Sequence, residues 1–272
     1  MRIKKAVKFV SIFLLSIIFI YAWTWIPVTE RISLDLTDNG PIGFRIALIT
    51  DLHSCYYGKG QKSLIDRIDN EEPDIVVFSG DIFDDKLSDE NAKIVFEDLV
   101  TKYPCYYVTG NHEYWSGRAD SMKDYLRSIG VHVLEGDCER IEAGDHTIDM
   151  CGVDDPTDIG YYPWIDQFDR AYSETDPSHI RILASHRPEK INTYEKYDFD
   201  LILAGHAHAG QFRIPFINRG LFVPDQGSMA LYVSGQYELP NGSIMVVSRG
   251  LARESTPLPR FFNHPEVVII DI

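Results

Sequence analysis

Short apolar runs alternate with amphipathic stretches along most of this chain, and each change of pattern falls on a polar boundary. Residues 44–50, 74–79, 105–109, 179–184 and 201–204 are mostly apolar runs, too short for buried helices, and read as buried strands. Between the first three lie helical patterns. Leu64, Ile65 and Ile68 share a face within residues 63–70, which Pro73 closes. Ser88 is placed to cap a second helix carrying Ile94, Val95 and Leu99. Met122, Tyr125, Leu126 and Ile129 recur at i, i+3, i+4 and i+7 until Gly130. Strand and helix in strict alternation predict a parallel sheet with right-handed crossovers.

The pattern then changes. Residues 131–153 read as short strands with turns at Gly136-Asp137 and Gly144-Asp145. Residues 154–177 are irregular, acidic and aromatic, which fits a solvated loop or a lid whose Tyr161, Tyr162, Trp164 and Phe168 reach a substrate. Pro188 stands where a helix would begin. Beyond Gly210, short runs broken by Pro215, Gly220, Gly227, Gly235 and Asn241-Gly242 predict a mostly antiparallel second sheet. Asn241-Gly242 is a strong hairpin signal.

The first residues follow a different rule. Residues 9–26 are uncharged and mostly apolar, and as a helix would measure roughly 27 Å, near the ~30 Å of a hydrocarbon core. Tyr21, Trp23 and Trp25 sit at the far end, where amphipathic aromatics favour headgroups. A cleaved signal peptide is the competing reading, but bulky residues fill the place of a small-x-small cleavage site. The expectation is an anchor over residues 1–30, a linker over 31–43, and a catalytic domain over 44–272. Arg2, Lys4, Lys5 and Lys8 before the helix predict a cytoplasmic N-terminus, so a single-pass protein of the cell membrane with an extracytoplasmic body.

Charge sharpens the contrast. The chain of 272 residues carries −15, and beyond residue 30 its 22 basic and 40 acidic residues leave −18. Such a body is a poor partner for nucleic acid, whose binding rests on Lys and Arg. Cys55, Cys105, Cys138 and Cys151 lack CxxC spacing, so no zinc knuckle is indicated. One disulfide is compatible with them, although free buried thiols are the simpler expectation.

The chemistry gathers at the strand ends. Asp51 and His53 follow the first strand, Asp81 the second, Asn111 and His112 the third, His186 the fourth, and His206 and His208 the last. Carboxylate, imidazole and amide oxygen together suit hard or borderline divalent cations. Without a thiolate among them, a structural zinc site is not indicated.

Asp51-x-His53, Gly80-Asp81-x-x-Asp84, Gly110-Asn111-His112-Glu113, Ser185-His186 and Gly205-His206-x-His208 resemble, in order, the five motifs of the calcineurin-like metallophosphoesterases. The resemblance covers most of residues 44–210 and implies a four-layer α/β/β/α sandwich holding two divalent ions, Mn, Fe or Zn. It implies Asp51, His53, Asp81 and His208 on one ion, and Asp81, Asn111, His186 and His206 on the other, with Asp81 bridging. A bridging hydroxide would attack phosphorus, His112 would protonate the leaving oxygen, and Asp84 would orient His112. Asp85 occupies the position of a phosphate-gripping arginine in the serine/threonine phosphatase branch, which turns the expectation away from phosphoproteins.

The tail, through Gly210-Gln-Phe-Arg-Ile-Pro215, Pro224-Asp-Gln-Gly227, Ser248-Arg-Gly250 and residues 257–266, is similar to small membrane-associated bacterial phosphodiesterases and lipid-precursor pyrophosphatases. The function implied is hydrolysis of a phosphodiester or pyrophosphate in a lipid or cell-envelope molecule. A phosphomonoesterase is the alternative, and a non-catalytic tethered metal-binding sensor a further one.

Overall fold

The computed structural model describes residues 2–37, 40–213, 219–256 and 258–272. Ile214, Pro215 and Pro257 of the tail motifs lie outside the described residues, as do the side chains of Arg2, Lys4, Tyr21 and Trp23. Helices are α1 (Arg2–Trp23), α2 (Lys62–Asp69), α3 (Glu90–Leu99), α4 (Asn111–Trp115), α5 (Ala119–Ile129), α6 (Pro156–Ile159), α7 (Tyr161–Ser173) and α8 (Ile191–Tyr194). Strands are β1 (Val28–Ser33), β2 (Arg45–Ile49), β3 (Ile75–Ser79), β4 (Cys105–Val108), β5 (His132–Val133) and β6 (Asp137–Ala143). They continue with β7 (His146–Gly152), β8 (Ile180–Ala184), β9 (Leu201–Ala204), β10 (Gly235–Glu238), β11 (Ile244–Val247) and β12 (Glu266–Asp271).

These strands form two mixed six-stranded sheets, β1-β12-β2-β3-β4-β5 and β10-β11-β9-β8-β7-β6. The parallel pairs β2–β3–β4 and β7–β8–β9 are the runs whose strands are apolar on both faces. Alternate residues divide between two cores, as strand geometry requires. Ile46, Leu48, Val77 and Val108 meet Ile148, Ile182, Leu203 and Val246 between the sheets. Ala47, Ile49, Val76 and Phe78 turn outward against Leu64, Val95, Phe96 and Leu126 of the helices. A third cluster packs α7 and α8 on the second sheet. The layers are therefore α/β/β/α, as expected.

Several expectations fail for identifiable reasons. Residues 154–177 are neither loop nor lid. Trp164, Phe168 and Ala171 recur at i, i+4 and i+7 on α7 and are fully buried, a helical period masked by the acidic residues between them. The described residues between 210 and 231 form no strand; isolated bridges hold them, and β12 joins the first sheet instead. Part of the expected linker is β1, paired in parallel with β12. The helix after Pro188 begins only at Ile191. Cys138 and Cys151, directly opposed on β6 and β7, form a disulfide, whereas Cys55 and Cys105 are free and buried. Asn241-Gly242 does turn the β10–β11 hairpin, with Gly242 at φ 92°.

Among the described residues, no helix is long and apolar enough to cross a membrane. On α1 the consecutively described side chains run only from 7 to 20, roughly 21 Å of helix.

Candidate metal centre

All the expected ligands converge at the carboxyl ends of β2, β3, β4, β8 and β9, where the two sheets meet. Asp51, His53, Asp81, Asn111, His186, His206 and His208 are all buried. Asp51, His53 and His208 bring one ligand atom each within 4.8 Å of one another, and Asp81, His186 and His206 do the same. Asp81 links the groups, with Oδ2 3.2 Å from His186 Nε2 and 3.7 Å from His53 Nε2. His208 Nε2 lies 3.7 Å from Asp51 Oδ1.

The local backbone explains how so many polar groups reach one point. Asp51, His53, Asp81, His206 and His208 all have φ between 46° and 64°. Non-glycine residues avoid that left-handed region, and such strain concentrates where function fixes geometry. Two glycines make room: a Cβ on Gly110 would stand 2.2 Å from Asp81 Oδ1, and one on Gly205 2.5 Å from Asp51 Oδ2. Glu113 clamps the turn after β3, accepting from the backbone N–H groups of Asp81, Ile82, Phe83 and Gly110 at 2.8–3.0 Å.

Whether this donor set fits cations is answered by its unpaired atoms. His53 Nε2, Asn111 Oδ1, His186 Nε2 and His208 Nδ1 are buried without a hydrogen-bond partner. Buried polar atoms are rarely left so, and these four belong to expected ligands. Burial and the neighbouring His53 hold His208 well below the usual histidine range, as a neutral ligand requires. The remaining ring nitrogens are oriented by neighbours. His186 Nδ1 lies 2.8 Å from the Ser79 carbonyl and His53 Nδ1 3.1 Å from Asp84 Oδ1. His206 Nε2 is 3.0 Å from Asp225 Oδ2, leaving Nδ1 for an ion.

Two roles change. Asp84 does not serve His112 alone: it stands 3.1 Å from His53 Nδ1 and 3.4 Å from His112 Nδ1. The shorter contact to His112, 2.8 Å, comes from Asp85, a residue read from sequence only as the replacement of an arginine. Desolvation lowers the His112 pKa, but Asp84, Asp81 and Asp85 more than offset it and raise it to about 9. Missed entirely was the train Asp155–Arg187–Asp225–His206. Arg187 Nε donates to Asp155 Oδ2 at 2.5 Å, and Nη1 pairs with Asp225. Sequence gave no signal for it, since the partners lie far apart in the chain.

A cleft of about 710 Å³ opens on the centre. Asp81, Asn111, His112, His206 and His208 form its floor, and Trp115, Leu221, Phe222, Val223, Pro224 and Leu258 its wall. Tyr161 and Tyr162 do not line it.

Comparison with known proteins agrees with this geometry. The family model of the calcineurin-like phosphoesterases matches residues 44–210, which run from β2 past the last ligand. The chain belongs to this family. Its clustered His and Asp residues accordingly suggest a binuclear divalent metal site. An uncharacterized metallophosphoesterase of Helicobacter pylori is 27% identical over 230 residues, covering 83% of this chain and 59% of that protein. A Bos taurus transmembrane protein with a metallophosphoesterase domain is 30% identical over 227 residues, 79% of this chain and 50% of that one. The chain thus spans little more than half the length of these relatives. A dimetal phosphatase from Danio rerio shares the fold at TM-score 0.51 and 14% identity, covering 78% of this chain and 88% of that one.

Proposed function

We propose that this metallophosphoesterase hydrolyses a phosphodiester or pyrophosphate in a lipid or cell-envelope molecule, as a membrane-associated member of the bacterial phosphodiesterase and lipid-precursor pyrophosphatase type. The observation that carries this reading is the cleft. Its wall is apolar, and among the described residues no Lys or Arg lines it. A dianionic monoester would meet no lysine or arginine there, only the ring of His112, beside the carboxylate of Asp225. A singly charged diester with an apolar substituent suits both floor and wall.

Two divalent cations, Mn, Fe or Zn, would supply Lewis-acid polarisation and an activated water at neutral pH. Asp51, His53, Asp81 and His208 would hold one, and Asp81, Asn111, His186 and His206 the other. His112 is no ligand in this scheme. It stands at the cleft floor with its side chain 20% exposed, held by Asp85 and Asp84, and donates its proton to the departing oxygen.

Four observations support a membrane setting with the domain extracytoplasmic. The side chains of residues 7–19 on α1, mostly apolar, are exposed all round. Lys5 and Lys8 sit near its start, as a cytoplasmic end prefers. The Cys138–Cys151 disulfide fits an oxidising compartment. The Bos taurus relative carries a transmembrane name.

The test is turnover by the full chain with manganese, comparing a nitrophenyl phosphodiester, a nitrophenyl monoester and phospholipid in mixed micelles. Faster diester and phospholipid cleavage is expected. A marked preference for the monoester would overturn the substrate reading.

A further inference from the structure

Exposed apolar side chains are not scattered over this domain. Beyond α1, and apart from Tyr56, Trp115, Tyr161 and Tyr162, the large apolar side chains described as exposed are Ile26 and six on the segments 212–231 and 258–262. Trp115, Phe222 and Leu258 face the cleft. Outside the cleft, Met229, Leu231 and Phe262 are 43%, 42% and 48% exposed. Met229 and Phe262 are presented from left-handed backbone, φ 60° and 50°, which bulky residues avoid.

These segments are tied to each other and to the metal centre. Phe212 bridges Phe261, and Gly220 bridges Ala230. Asn263 Nδ2 donates to the carbonyls of His208 at 2.8 Å and Gln211 at 3.2 Å. The foot of α1 docks on the same segments. Thr24 Oγ1 donates to the Arg260 carbonyl at 2.8 Å, Arg253 Nη1 to the Trp25 carbonyl at 3.1 Å, and His264 Nδ1 lies 3.1 Å from the Ile26 carbonyl. Ile26, 57% exposed, continues the apolar rim onto the helix.

From this continuity we infer that Met229, Leu231, Phe262 and Ile26 form a membrane-docking rim that sets the cleft mouth against the bilayer surface beside the α1 foot. The inference rests on the membrane setting proposed above. A rim of this kind inserts shallowly at the headgroup boundary, where exposed apolar side chains leave water. A lipid phosphoester then reaches the floor without leaving the interface, its apolar part passing along Phe222 and Leu258.

The experiment uses the full chain reconstituted in phosphatidylglycerol–phosphatidylethanolamine vesicles, with an environment-sensitive fluorophore on Leu231→Cys. Asp145→Cys, on the β6–β7 turn at the opposite ends of the strands, is the control. Flotation with vesicles tests membrane association itself. With flotation, the inference requires that shallow spin-labelled lipids quench the Leu231 label and leave the Asp145 label unaffected. Flotation without quenching at Leu231 overturns the rim alone, as does quenching of both labels alike or label-to-label proximity showing that a second copy covers the face. Failure to float overturns the membrane reading and the rim with it. In a second test, the triple variant Met229→Ser, Leu231→Ser, Phe262→Ser should cleave vesicle phospholipid about tenfold more slowly while keeping its rate on a soluble nitrophenyl diester. Equal rates on vesicles would refute the rim.

Discussion

The metal centre and the cleft wall lie side by side yet are built in opposite ways. Every expected ligand sits within a few residues of the end of a regular strand and is buried, and all but Asn111 and His186 stand on left-handed backbone. Besides Trp115, the wall comes from residues 221–227, Thr256 and Leu258, which belong to no strand and include the isolated bridge Val223–Gly227. Rigid sheets fix the chemistry, and irregular segments choose what meets it. This division is common where loops carry specificity on a rigid scaffold.

If the division holds, substitutions on the floor abolish turnover and those on the wall change substrate choice. Asp81→Asn should have the largest effect, because its Oδ2 lies 3.2 Å from His186 Nε2 and 3.7 Å from His53 Nε2, one ring from each group. Metal content and activity should vanish together; full metal occupancy in this variant would show that Asp81 does not bridge. Next, His112→Ala should retain both metals and lose roughly 10²- to 10⁴-fold in kcat, the range for a general acid. Metal analysis beside kinetics separates that result from a ligand role.

The pH profile sharpens the same point. The raised pKa of His112 means its acid form is present below about 9 and lost above. Cations bound beside it can only lower that value, so the alkaline limb of kcat should fall at or below about 9. Asp85→Asn should move the limb down, since the carboxylate that favours the charged ring is gone. An unmoved limb would return His112 to Asp84.

Smaller effects follow outward. Asp225→Asn should weaken metal binding roughly 10- to 100-fold without removing a ligand, by releasing His206 Nε2. Titration of the metal-free chain with manganese measures this. Phe222→Ala should raise KM for a diester with a long acyl group and leave a short-chain diester nearly unchanged, a contrast that uniform loss on both would contradict.

Sequence made the floor legible and the wall obscure, for physical reasons. A buried strand has a short apolar signature, and polar groups at its end stand out, as Gly80-Asp81 and Gly205-His206 do. The partner of each ring does not stand out. Asp85 and Asp225 meet His112 and His206 only through the fold, and the family resemblance pointed to Asp84, which His112 shares with Asp85. Residues 154–177 misled because acids on the exposed face of α7 hid the period of Trp164 and Phe168. Residues 210–231 misled because glycine and proline punctuate strands and irregular loops alike. Cys138 and Cys151 could be paired only once β6 and β7 were aligned.

Metal stoichiometry against turnover bears most directly on the whole account. The full chain, stripped by chelation and titrated with manganese, should regain phosphodiesterase activity in step with occupancy and reach its plateau at two ions per chain. Full activity at one ion, or activity that survives complete stripping, would contradict a two-ion centre bridged by Asp81.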